Sequence, residues 1–445
     1  MSRGFVSAAI SFATGRPFFV ITTGWRVACT SSMTLKHCAL NLLAGIVFIV
    51  TLYDHGHYNM TIANSCYTLP MLPGRATPDG TAHYRERFPQ LRDAHHFRRP
   101  ANVAGIEDFW LSSIGLGTYL GETDEASDRE YTDAITTAIR SGINVLDTAI
   151  NYRHQRSERN IGGALKSLVD SGALKRNQVL VCTKAGYLSF DGNLPPDPRA
   201  YFRREYVDPG ILDPAQLAGG MHCMAPHYLQ NQIDRSRRNL GLETIDVFYV
   251  HNPESQLADV SREVFHQRLR DAFAMLEKQV KAGVIAHYGI ATWSAFRVPE
   301  GSRDYISLAE VAAIAHDLAG DSHHFRFVQL PFNLAMPEAY GLHNQTVGKH
   351  KLSLLAAAEQ LGIAVIGSAT LYQGQLTHGL PDFLKQTLGL KTDAENAIQF
   401  SRSAPGLTTS LVGMGHREHV GANLNAALIE PAPADQWRSL FRESK

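Results

Sequence analysis

From about residue 110 onward, apolar residues gather into short runs separated by amphipathic stretches. The runs read as buried strands at 113–118, 144–147, 179–184, 246–251, 286–291, 327–330, 364–367 and 409–413. Between them, apolar positions recur every three or four residues, as do Tyr131, Ala134, Ile135, Ala138 and Ile139 within 128–141. The same spacing predicts helices at 157–170, 225–240, 264–282, 307–318, 351–361, through 382–402, and from 417. Ser157 is a suitable N-cap, and Gly241 and Gly283 close two of the helices. Strands and helices in strict alternation predict an α/β protein, a closed parallel (β/α)8 TIM barrel. The alternative is a doubly wound open sheet. No Gly-x-Gly-x-x-Gly follows a strand, because Ile114-Gly115-Leu116-Gly117 lacks the third glycine. A Rossmann-type cofactor site is therefore unsupported.

The flanks have a different pattern. Residues 69–109 are rich in proline, glycine and charge and read as an irregular lead-in; 110–430 is the barrel and 431–445 a tail. Residues 1–68 form an N-terminal extension with no acidic residue before Asp54, while Arg3, Arg16, Arg26 and Lys36 are basic. Within it, 38–53 is mostly apolar, about 16 residues against the roughly 20 of a spanning helix. A membrane anchor, an organelle-targeting peptide and a plain extension compete here. The first two set the alternatives to a cytoplasmic location. One connection, from Lys184 to about 225, is long and carries five prolines (195, 196, 198, 209, 214). On a barrel it falls on the catalytic face and is expected to wall a pocket.

Composition narrows the function classes. Lys plus Arg and Asp plus Glu each number 42, so no net charge argues for nucleic acid or an anionic surface. Five cysteines at 29, 38, 66, 182 and 223, with no Cys-x-x-Cys, argue against a disulfide framework or a metal site and for a reducing compartment.

The candidate chemistry lies where the strands end. Asp147 closes the second run and Tyr152 follows it; Lys184 ends the third and His251 the fourth. Singly, each has an ordinary structural explanation: a strand-end carboxylate, a packed tyrosine, a core histidine. At successive strand ends of a barrel they make one cluster. An ammonium from Lys184 would favour the Tyr152 phenolate, Asp147 would hold Lys184, and His251 would donate to a substrate oxygen. This is a proton donor aimed at a carbonyl, or in reverse a base aimed at a hydroxyl. No side chain carries hydride, so a nicotinamide cofactor is implied.

At this point the chain resembles the aldo-keto reductase family. The resemblance rests on Gly142-Ile143-Asn144-Val145-Leu146-Asp147-Thr148-Ala149 with Tyr152, on Ser157-Glu158-Arg159-Asn160-Ile161-Gly162, on Thr183-Lys184, on Tyr249-Val250-His251-Asn252-Pro253, and on 412–424. It implies NADP- or NAD-linked interconversion of a small carbonyl or sugar and its alcohol or lactone. Tyr152 is then proton donor or acceptor, Asp147 and Lys184 tune it, and His251 orients the carbonyl. Thr292 and Gln329 fall at nicotinamide-amide contacts and Asn423 at an adenine contact. Ser368 stands where the family often has an aromatic ring. Gly413, Met414 and Gly415 stand where many members bind the 2′-phosphate of NADP, with His416, Arg417 and His419 nearby. This form of the segment is similar to the aldose and galactose dehydrogenase branch. A nicotinamide-binding regulatory subunit is the other reading. His222 and Cys223, in the long connection, are either pocket lining or loop packing. Neither substrate, direction nor oligomeric state follows from the sequence.

Overall fold

The computed structural model describes residues 71–100 and 102–441; ahead of them it describes only the backbone of five strands between Ala8 and Ala63. Met1–Pro70 is a unit by itself, with one two-stranded and one three-stranded antiparallel sheet. Two of these strands, His37–Asn41 and Val47–Leu52, cover most of the 38–53 run. The helix an anchor requires is replaced there by extended backbone, in keeping with β-branched Val47, Ile49, Val50 and Thr51. The rest of the anchor and targeting readings lies outside the described residues. No helix among the described residues is long and apolar enough to cross a membrane.

In the second unit, eight parallel strands close into a barrel. They are β1 (Ile114–Gly117), β2 (Val145–Asp147), β3 (Leu180–Ala185), β4 (Ile245–His251), β5 (Ile285–Ala291), β6 (Phe325–Pro331), β7 (Ala364–Ser368) and β8 (Leu407–Gly413). β8 pairs with β1 through Gly413 and Gly117, which excludes the open sheet. The helices behind them are α1 (Glu125–Arg140), α2 (Arg156–Asp170), α3 (Pro226–Leu240), α4 (Arg262–Lys281), α5 (Leu308–Ala319), α6 (Leu354–Gln360), α7 (Asp393–Arg402) and α8 (Arg417–Leu424).

Strand parity explains both layers of the core. Val145, Leu180, Cys182, Val247, Tyr249, Phe327 and Ile366 pack together inside the barrel. Their neighbours Leu146, Val181, Phe248, Val250, Val328 and Val365 pack outward against the helices. Side chains alternate along a strand, so Asp147, Lys184, His251 and Gln329 continue the inward series at its upper end.

Several expected elements differ. The lead-in is not irregular: Pro78–Glu86 and Pro89–Asp93 are helices, each with proline in its first turn, and Thr77 caps the first. The expected helix at 351–361 begins as a hairpin, His343–Val347 with His350–Ser353, before α6. The stretch 382–402 is two helices, because Gly389 takes φ 77° and ends Asp382–Leu388. Ser157 does not cap α2. It lies inside the helix, its hydroxyl donates to the Thr118 carbonyl at 2.8 Å, and left-handed Gln155 precedes the helix instead. The long connection folds on itself, with a helix at Pro198–Phe202 and Tyr206, Leu212 and Cys223 in the core.

Candidate active site

The site is built from the inward residues at the strand ends. Register brings them level: Asp147 pairs with Gly117 on one side and Cys182 on the other, and Ala291 pairs with both His251 and Gln329. Lys184 Nζ reaches Asp147 Oδ2 at 2.6 Å and the Thr148 carbonyl at 2.7 Å, and stands 3.5 Å from the Tyr152 hydroxyl. The other Asp147 oxygen accepts from the Gln329 amide at 2.8 Å. The His251 ring lies edge-on to Tyr152, centroids 5.9 Å apart. The four residues singled out in the sequence therefore form one cluster.

Electrostatics follow from burial. Burial by itself would depress the Lys184 ammonium, but Asp147 and Tyr152 outweigh it and hold the group above its ordinary value. Asp147 is drawn upward by burial, against Lys184 and Gln329. Tyr152 corrects an expectation: Lys184 does pull its phenol down, yet burial pushes harder and the net shift is upward. His251 is pushed well below the usual histidine range, first by burial and then by Lys184 and His222. At neutral pH the cluster holds a phenol and a neutral imidazole. His251 Nδ1 is buried with no partner among the described residues, which leaves Nε2 as the nitrogen open to a ligand.

A second layer, unread in the sequence, holds this cluster. His222 is buried and its Nε2 lies 2.7 Å from the His251 carbonyl; a carbonyl only accepts, so Nε2 carries the proton. Nδ1 then accepts from the Gln256 amide at 2.7 Å, and Arg268 donates to the Gln256 oxygen. Burial and the Arg268 charge bring the His222 pKa down to about 4. His222 and Cys223 are thus buried and packed within the long connection. The ring that faces His251 from the long connection is Tyr187, centroids 5.4 Å apart, its hydroxyl accepting from Asn252. Tyr119 stands edge-on to Tyr152 at 5.0 Å. Tyr119 and Trp293 are about half exposed, each two residues past a strand end. That offset was the available signal for both. Glu254 accepts from the backbone N–H groups of Trp293 and Ser294 at 2.7 and 3.1 Å, and so fixes the turn after β5.

The expected cofactor residues divide. Thr292 is buried with its hydroxyl unpartnered, as a position awaiting a ligand would be. The Gln329 amide nitrogen is engaged with Asp147. Ser368 ends β7, half-buried. Gly413 is exposed at the end of β8, and Gly415 lies against the Tyr131 ring. Met414 is the exception: its side chain is fully buried in the core, so only its backbone can meet a ligand. His416, Arg417 and His419 are exposed around the start of α8, with His416 3.5 Å from Glu130 and Arg417 4.0 Å from Asp133. Asn423 is buried on α8.

Residues 113–442 match the sequence model of the Aldo/keto reductase family. The chain belongs to that family. Among relatives of this aldo/keto reductase, the NADH-specific methylglyoxal reductase of Escherichia coli (strain K12) is 28% identical over 215 residues, 47% of this chain and 56% of that protein. The D-threo-aldose 1-dehydrogenase of a Pseudomonas species is 30% identical over 166 residues, 37% of this chain and 45% of that protein. The match to this chain thus spans about half the length of these relatives. Among solved structures, an aldo-keto reductase of Bacillus halodurans in its holo form aligns with TM-score 0.54 at 17% identity, covering 78% of this chain and 96% of that one. The glycerol dehydrogenase of Gluconobacter oxydans aligns with TM-score 0.53 at 18% identity, covering 78% and 93%. Both share the barrel fold.

Proposed function

We propose that this chain is a nicotinamide-dependent oxidoreductase that interconverts a small carbonyl compound and its alcohol, or an aldose and its lactone. Tyr152 is the proton donor or acceptor. The observation that carries this reading is the buried Lys184, bonded to Asp147 and 3.5 Å from the Tyr152 hydroxyl. An ammonium there, with its charge held by a carboxylate, stabilises the phenolate left when Tyr152 gives up its proton. Tyr152 rests as a phenol, so the site stands ready for reduction, while oxidation requires the phenol to lose its proton first. Neutral His251 donates from Nε2 to the carbonyl oxygen and holds it within reach of the phenol.

A bound nicotinamide supplies the hydride in reduction and takes it in oxidation. The unpartnered Thr292 hydroxyl fits a carboxamide, and the exposed Gly413 and the start of α8 offer backbone for the rest of a dinucleotide. His416, Arg417 and His419 would hold a 2′-phosphate, and Asn423 an adenine. The names of the relatives, a methylglyoxal reductase and an aldose dehydrogenase, support a short polar carbonyl or sugar as substrate. The exposed rings of Tyr119 and Trp293 offer faces for it to lie against.

The test is turnover of methylglyoxal with NADH and NADPH, and of aldoses with NAD and NADP, by the full chain and by Tyr152→Phe. The variant is expected to lose at least about 100-fold in kcat while binding cofactor as before. Near-normal turnover by Tyr152→Phe would refute the mechanism.

A further inference from the structure

Tyr152 is followed by three consecutive non-glycine residues with positive φ: Arg153 at 47°, His154 at 54° and Gln155 at 72°. L-residues disfavour this region because Cβ crowds the following carbonyl, and runs of it are rarer still. A turn of this kind persists only where its surroundings hold it. Here Gly192 N–H donates to the His154 carbonyl and the Gln155 amide to the Phe190 carbonyl, each at 2.8 Å, and Arg153 makes the most extensive set of contacts. Its guanidinium is 1% exposed and every nitrogen is engaged. Nε donates to the Glu122 carbonyl at 2.7 Å, Nη1 to Asn160 Oδ1 at 2.7 Å and Nη2 to Asp128 Oδ1 at 2.8 Å. Its plane also lies over the Tyr131 ring, 4.8 Å from the centroid.

These contacts reach three separate elements around Tyr152. Asp128 and Tyr131 belong to α1, Asn160 to α2, and Glu122 to the loop after β1. That loop carries Tyr119, whose ring packs on Tyr152, and Tyr131 donates to the Leu120 carbonyl at 2.5 Å. Tyr152 lies outside the barrel strands and α-helices and opens a single 3-10 turn, Tyr152–Gln155. Its own N–H bonds only the Ala149 carbonyl, three residues back.

We propose that Arg153 is a positioning residue for Tyr152: by pinning a strained left-handed turn it sets the spacing between the phenol and Lys184. The inference rests on the role given to Tyr152 above. The spacing matters twice. It determines how far the ammonium stabilises the phenolate, and it aims the proton at the substrate oxygen.

The experiment compares Arg153→Ala, Arg153→Lys and Tyr152→Phe with the parent full chain, using methylglyoxal with NADH and NADPH. Misplacing a reacting group by about an ångström costs roughly 100-fold. Arg153→Ala is expected to lower kcat by about 10- to 100-fold, with KM and the cofactor dissociation constant within about threefold of the parent. Its pH–rate profile is expected to move as well, with the limb that reports Tyr152 ionisation shifted to higher pH. A residue that merely stabilised the fold would lower thermal stability and active fraction and leave that limb in place. Should Arg153→Ala fail to fold, Arg153→Lys carries the test, because it keeps the stem and charge but lacks the planar fork. An inactive Tyr152→Phe beside an Arg153 variant with unchanged kcat and pH profile would overturn the proposal for Arg153 alone. An active Tyr152→Phe would overturn it together with the role of Tyr152.

Discussion

Gly186 has no room for a side chain: a Cβ there would stand 2.4 Å from the His251 carbonyl oxygen and 2.7 Å from His222 Nε2. The absent methyl is what lets these two groups approach within hydrogen-bond distance. Gly186→Ala is therefore expected to separate them, tilt His251 away from Tyr152 and reduce kcat/KM by at least about tenfold. Cofactor binding, proposed above for residues after β5 and β8, is expected to change little. Steady-state kinetics with a fluorescence titration of NADH checks this, and unaltered kcat/KM would show that the His222 bond does not position His251. At this scale, Asp147, Lys184 and His251 were readable because each is a polar residue ending an apolar run. The direction of the Tyr152 shift was not readable. It depends on how much protein surrounds the ring, and burial outweighs the ammonium that the sequence suggested. Nor were the contacts of His222, since its partner Gln256 lies 34 positions away.

Elements were legible where local pattern and tertiary environment agree. The barrel strands lie within two residues of the expected runs, and Gly241 caps α3 at φ 64° as expected. Errors arose where a helical period spans a break. Gly389 divides 382–402, and the hairpin before α6 is built from polar residues without a strong alternation. The lead-in helices were hidden because proline was read as a breaker, although at the first helical position it lacks only an N–H that would go unused. The start of α8 makes a further prediction. Arg417 is exposed and no closer than 4.0 Å to Asp133, so its charge is largely free for a 2′-phosphate. Arg417→Ala is expected to weaken NADPH binding by about 3- to 10-fold, the value of one partly screened charge pair, and to leave NADH unchanged. Equal loss for both cofactors would place the 2′-phosphate elsewhere.

For the whole molecule, the consequence of burying several histidines is acid sensitivity. Burial, aided by the Arg268 charge, brings His222 from 6.5 to about 4; burial, aided by Arg75, His324 and Arg326, brings His287 to about 3. Both are neutral in the fold at a pH where the unfolded chain takes up protons. Their contribution is complete above about pH 6.5 and is lost as pH falls from there toward 4, at about 1.4 kcal/mol per pH unit for each group. Glu254 acts in the opposite sense. Its carboxyl is raised by burial from 4.5 to about 7, so the unfolded chain loses that proton first and stability falls as pH rises between those values. His96, His251 and His323 are lowered likewise, and Asp147 and Glu158 are raised as Glu254 is; the histidines outnumber the carboxyls, which leaves a net loss on acidification. The midpoint of urea unfolding is expected to fall between pH 6.5 and 5, and less steeply than in Glu254→Gln, which lacks the opposing group. A midpoint constant over that range would refute the account.

What the sequence by itself determined is what local physics specifies. Alternating apolar runs and amphipathic periods specify a parallel α/β sheet covered by helices, and parity along each strand sends the same residues inward; only the β8–β1 pairing decided for a closed barrel over an open sheet. The family resemblance, too, lay in contiguous motifs. Tertiary structure alone decided which distant groups meet and in what dielectric. The His222–Gln256–Arg268 chain, the left-handed turn pinned by Arg153 and the upward shift of Tyr152 depend on close approaches between elements far apart in the chain. No local pattern encodes such approaches, because hydrogen-bond partners and desolvation exist only once the chain has closed around them.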